Sequence, residues 1–130
     1  MFLTRERDYA IRVVRALADM KKKPVKSICE QEHVPIDFAY KILKKLEQAK
    51  FVSSVRGAQG GYQLAKKPSE INMFEILASV DDNLYINECL KPTALCPNHT
   101  EGKRCRVHEE LIIIQEGLFE TLKSKTFDML

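Results

Sequence analysis

From Thr4 to about Met20 the apolar residues Tyr9, Ile11, Val13, Val14, Ala16, Leu17 and Met20 recur at helical spacing. Thr4 stands where its hydroxyl can cap the first turn, so a first helix is expected there. The segment KKKP at 21 to 24 breaks that pattern. After Pro24, VKSICEQEHV reads as a short second helix. After Pro35, IDFAYKILKKLEQAK reads as a third, with Phe38, Ile42, Leu43 and Leu46 inward, because proline is tolerated at a helix start. Two short helices joined by a tight turn make a helix-turn-helix candidate. FVSSV and YQLA then have strand character and are separated by RGAQGG, whose glycines permit the positive backbone angles of a hairpin loop. Beyond Pro68, Asn72 with Glu75 three residues later fits a reciprocal cap, so MFEILASV continues as a fourth helix packing on the first. Residues 81 to 105 keep no period and read as a loop ordered by something it binds. From about Lys103 to Ser124 a long helix resumes, carrying Val107, Leu111, Ile112, Ile113, Ile114, Leu118, Phe119 and Leu122.

The expected fold is mostly α with a small β-hairpin. A winged helix-turn-helix domain spans 1–80, a cysteine-rich segment 81–108, and a dimerisation helix 103–125. The apolar residues of that last helix cover more of its circumference than one small domain can bury. A helix from a second subunit would cover the rest as a symmetric homodimer, the competing reading being a helix buried wholly in its own domain.

With 130 residues, 45% hydrophobic and 30% charged, the chain can bury one modest core. No apolar run approaches the roughly 20 residues of a membrane span, and the opening MFLTRERDYAIRVV carries charges where a signal peptide needs an apolar stretch. A cytoplasmic location without a membrane partner is therefore expected. Charge divides the chain: residues 1–67 hold 15 Lys and Arg against 7 Asp and Glu, the remainder 6 against 11. A basic first half points to a polyanion, although two solvated faces would have the same composition. The outward positions of the third helix, Asp37, Tyr40, Lys41, Lys44 and Lys45, are polar or basic, as a helix in a DNA major groove requires. Arg56 tips the hairpin, where it can reach a phosphate backbone or the negative potential of a narrow minor groove.

Three cysteines, Cys89, Cys96 and Cys105, crowd the aperiodic segment with six and eight residues between them, and His108 follows the last by three. In a reducing compartment such a group is metal-binding or redox-active rather than a disulfide framework. Structural zinc prefers paired ligands two to four residues apart, and the cysteines lack that pairing. An iron-sulfur cluster is larger and is held mainly by thiolates, so spaced cysteines can wrap it. Three thiolates leave a position for His108, one turn from Cys105, or for Asp8 in the first helix, with His99 ranked below both. Cys29 reads as a small core residue. A structural zinc site or a small redox protein remain the alternatives.

RGAQGGYQLA at 56 to 65, following a helix-turn-helix and preceding the three-cysteine segment, resembles the bacterial winged-helix regulators that include the iron-sulfur cluster regulator IscR and the nitric-oxide-sensitive repressor NsrR. That resemblance implies a non-enzymatic homodimeric regulator, a repressor, of palindromic double-stranded DNA. It implies a cluster of two-iron or four-iron type on Cys89, Cys96 and Cys105. His108 matches the histidine ligand of IscR-like members, and Asp8 the carboxylate that NsrR-like members contribute from the opposite subunit. On the DNA side it implies Arg56 as the wing arginine and Asp37, Phe38, Tyr40 and Lys41 as base readers. Lys26, Ser27, Lys41, Lys44 and Lys45 would mainly contact phosphates.

Overall fold

The computed structural model describes residues 2–130. Helix α1 (Arg5–Ala16) starts as its sequence requires, the Thr4 hydroxyl accepting from the Arg7 N–H at 3.3 Å. It buries Ala10, Val13, Val14 and Ala16. It ends earlier than the apolar pattern implies, because residues 17–19 form a turn and Met20 adopts a left-handed φ of 63°. Helix α2 (Val25–Glu32) follows Pro24 and closes on His33, also left-handed. Helix α3 (Ile36–Gln48) follows Pro35 and buries Ala39, Ile42, Leu43 and Leu46. These four lie at i, i+3, i+4 and i+7, a single stripe facing α1 and α2.

Strands β1 (Val52–Val55) and β2 (Gly61–Leu64) pair antiparallel, with Val52 opposite Leu64 and Val55 opposite Gly61. Gly57 takes a φ of 111° in the connecting loop, a conformation with no penalty for glycine. The hairpin is stitched to the segment before α2 by two backbone hydrogen bonds. Lys23 N–H donates to the Tyr62 carbonyl at 2.9 Å, and Tyr62 N–H donates to the Lys23 carbonyl at 2.8 Å. The wing is thus held at both its root and its side.

Helix α4 (Met73–Val80) carries the expected reciprocal cap: Asn72 Oδ1 accepts from the Glu75 N–H at 3.0 Å, and Glu75 Oε2 from the Asn72 N–H at 3.2 Å. It buries Ile76, Leu77 and Val80 and packs on α1, as expected. Helix α5 (Arg106–Lys123) begins three residues later than expected and has no fully buried residue along its 18. Phe119 rests on Phe74 with ring centroids 5.0 Å apart, while Val107, Ile113 and Ile114 stay 66%, 61% and 58% exposed. The reading in which this helix is buried wholly within its own domain does not hold for the chain alone. The last residues fold back: Phe127 is 1% exposed, and its N–H donates to the Ile71 carbonyl at 3.1 Å. No described helix is long and apolar enough to cross a membrane.

Candidate nucleic-acid interface and cysteine segment

Between α3 and the wing lies an open groove of about 940 Å³, walled by Tyr40, Lys44, Ser54, Arg56 and Tyr62 among others. Tyr40 is 53% exposed. Asp37, Lys41, Lys44 and Arg56 are exposed, and among the described residues none of the three cations forms an ion pair. Unpaired cations on a concave face are the arrangement that a phosphate backbone can neutralise. Burial, followed by the nearby Glu47 carboxylate and Tyr40, pushes the Tyr62 hydroxyl pKa up. At the start of α2, Lys26 is exposed and Ser27 half-buried.

Two residues expected on this face lie off it, although the helical pattern itself places Phe38 inward. Phe38 is half-buried and packs edge-on against Tyr9, centroids 5.1 Å apart. Lys45, one turn beyond Lys41, leans toward α1 and α4, where its Nζ donates to Glu6 Oε1 at 2.5 Å and to the Val80 carbonyl at 2.7 Å. A carboxylate and a helix-end carbonyl thus hold this ammonium, although its side chain stays 41% exposed.

The cysteine segment has more local order than its sequence implies. Cys89 sits in a 3-10 turn (Glu88–Leu90), and the Asn87 side-chain amide donates to its sulfur at 3.1 Å. Cys96 and His99 close a tight turn, the His99 N–H donating to the Cys96 carbonyl at 3.0 Å, and Thr100 and Lys103 exchange backbone bonds at 3.0 Å. Cys105 precedes α5 and donates its N–H to His99 Nδ1 at 3.4 Å. The His99 and His108 rings stack with centroids 3.9 Å apart. All four cysteines are free and half-buried. Cys89 and Cys96 line one open cleft of about 500 Å³; Cys96 and His99 line a neighbouring one of about 420 Å³.

Among the described residues no three Cys, His, Asp or Glu side chains converge closely enough to hold a single ion. His108 Nδ1 is nevertheless buried without a hydrogen-bond partner, an arrangement that ordinarily costs free energy. Asp8 is occupied within its own chain, its carboxylate lying 3.1 Å from the Arg12 guanidinium. Cys29 packs beside the core, where burial raises its thiol pKa.

Sequence reasoning missed Arg7, the most deeply buried charge at 2% exposed. Its guanidinium meets the Asp81 carboxylate at 3.0 Å and the Asn83 carbonyl at 2.6 Å, pinning the root of the cysteine segment to α1. A signal was present: Arg7 stands at i and i+3 with Ala10 and at i+7 with Val14, inside the buried stripe.

Residues 3–130 match the Rrf2 family, described as iron-dependent transcriptional regulators. The regulator NsrR of Shouchella clausii is 32% identical over 92 residues, covering 68% of this chain and 62% of that protein. The regulator IscR of Vibrio atlanticus is 31% identical over 111 residues, covering 83% of this chain and 62% of that one. The chain spans only about three fifths of the length of several such relatives. In three dimensions it superimposes on CymR, the global cysteine regulator of Bacillus subtilis, with a TM-score of 0.79 at 21% identity over 98% of this chain and 94% of that one, a likeness of fold. The relatives are named as regulators of transcription, which sets aside the small redox enzyme. With a matching family over nearly its whole length and the wing architecture that goes with it, the chain belongs to the Rrf2 family of transcriptional regulators.

Proposed function

We propose that the chain acts as a homodimeric repressor of palindromic operator DNA whose affinity is set by an iron-sulfur cluster in the 89–108 segment. The observation that carries the DNA half is the groove between α3 and the wing, presenting Lys44 and Arg56 unpaired beside Tyr40. In this reading the outer positions of α3, Asp37, Tyr40 and Lys41, face base edges, while Lys26, Ser27, Lys44 and Arg56 grip phosphates. The exposed Val107, Ile113 and Ile114 of α5 would meet their counterparts across a two-fold axis, pairing two wings to match a palindrome.

The sensor half rests on donor chemistry. Cys89 and Cys96 are free and line one cleft, and Cys105 is free where α5 begins; three thiolates spaced without a paired knuckle fit a larger thiolate-bound group better than zinc. They would hold the cluster. The unpartnered Nδ1 favours His108 as the protein's fourth donor, with Asp8, half-exposed beside Arg12, the alternative. When bound, the cluster supplies a centre that iron supply, oxidants or nitric oxide can alter. The residues' own part is mechanical: free, the segment is held by a few local turns, and gathered, its sulfurs fix the stretch between α4 and α5.

The test is anaerobic purification followed by iron and sulfide analysis and selection of duplexes from a random pool. A brown protein with iron, sulfide and a palindromic consensus is expected. A colourless protein carrying stoichiometric zinc, or no metal, that still selects DNA would leave the interface and remove the sensor.

A further inference from the structure

Lys45 lies on the helix that faces DNA in the proposed reading, yet it bonds to α1 and α4. Three parts of the chain meet there. Its ammonium joins α3 to Glu6 in the first turn of α1 and to the Val80 carbonyl at the end of α4. The next residue of α1, Arg7, holds Asp81 through its carboxylate and Asn83 through its carbonyl. Val80, Asp81 and Asn83 are the root from which the cysteine segment departs. A second tie holds the same stretch to α5, the Ile86 N–H donating to Gln115 Oε1 at 3.0 Å. Residues 81–86 are therefore clamped to α1 and α5, while 87–105 are held mainly by bonds within themselves.

We infer that Lys45 is a positioning residue, not a phosphate contact: through Glu6 and Val80 it ties the tilt of α3 to the root of the cysteine segment. The inference rests on the proposed sensor reading and adds a route for it. A shift of the root that moves the Val80 carbonyl or Glu6 pulls on Lys45, whose ammonium bonds to both. Because Lys45 is one turn beyond Lys41 and adjacent to Lys44, a small rotation there re-aims both.

The experiment measures operator affinity of cluster-loaded and cluster-free protein across a salt series for wild type, Lys45→Gln, Lys45→Arg, Glu6→Gln and, as a phosphate-contact control, Lys44→Gln. Glu6→Gln removes the charge of the same link from the α1 side and leaves the Val80 bond in place, so the test survives if Lys45→Gln folds poorly. In wild type the two states are expected to differ by roughly 5- to 150-fold, the ordinary range of such couplings. Lys45→Gln and Glu6→Gln should shrink that ratio by roughly two- to fivefold, with visible absorbance and salt slope unchanged, whereas Lys44→Gln lowers the slope by about 0.9. Lys45→Arg, which keeps the charge, should keep most of the ratio. If both variants retain the wild-type ratio, or Lys45→Gln lowers the salt slope as Lys44→Gln does, the inference is overturned alone. A wild-type ratio of one overturns it together with the sensor reading.

Discussion

Gly61→Ala tests how firmly the wing is set. A Cβ at position 61 would lie 2.3 Å from the Lys23 carbonyl oxygen, 2.5 Å from its carbon and 2.8 Å from Pro24 N. All three obstacles are backbone, so no side chain can swing aside. The φ of 154° adds strain for any L side chain. The hairpin must back away from the 23–24 segment, which breaks the two Lys23–Tyr62 hydrogen bonds of 2.9 and 2.8 Å. At about 0.5–1.5 kcal/mol net per bond, the loss is about 1–3 kcal/mol of stability. The same retreat moves Arg56 relative to α3. If it loses a charge-assisted contact worth about 1.5–3 kcal/mol, operator affinity falls by roughly tenfold or more. Urea denaturation followed by circular dichroism reads the first effect and fluorescence anisotropy with a labelled operator the second. Wild-type stability together with wild-type affinity would refute the claim that the Lys23 contact positions the wing.

Arg56→Ala, which leaves the backbone alone, should weaken DNA binding and reduce the salt slope by about 0.9 while visible absorbance persists; an unchanged slope would remove Arg56 from the interface. Phe127→Ala empties a site that is 1% exposed and should cost about 3–5 kcal/mol in urea titrations, whereas a loss below about 1 kcal/mol would mean that the fold-back is dispensable. Burial raises the Cys29 thiol pKa, so the unfolded chain ionises first as pH rises. Stability present at neutral pH is therefore lost between the unfolded and folded thiol values. Cys29→Ala should flatten that decline in denaturation midpoints measured on cluster-free protein, and equal pH slopes for the two proteins would contradict the assignment.

The order of elements was legible because each announces itself locally. The α3 stripe, the glycines between two short apolar runs, and the Asn72–Glu75 cap all act over a few residues, and all three are found. Element ends were less legible. Leu17 and Met20 continue the apolar rhythm of α1, yet Met20 is 47% exposed and left-handed, a choice made by the turn that brings Lys23 beside Tyr62. Side-chain direction across the fold was not legible at all. Arg7 finds the Asn83 carbonyl 76 positions away, and Lys45 finds Val80 at 35. From the sequence, Lys45 is indistinguishable from Lys44, its exposed neighbour on the same polar run. Within 81–105 the absence of a period correctly excluded long elements. It gave no hint of the Cys96–His99 and Thr100–Lys103 turns or of the stacked histidines, since such contacts carry no periodic signature.

Whether an inorganic group on Cys89, Cys96 and Cys105 governs the grip of the α3 and wing face on DNA is decided by one paired titration. The same anaerobic preparation is assayed on one operator duplex at one salt concentration, before and after its iron is chelated away. The account predicts that the two dissociation constants differ by roughly fivefold or more. Equal constants, from protein shown to have carried iron and sulfide beforehand, would contradict it.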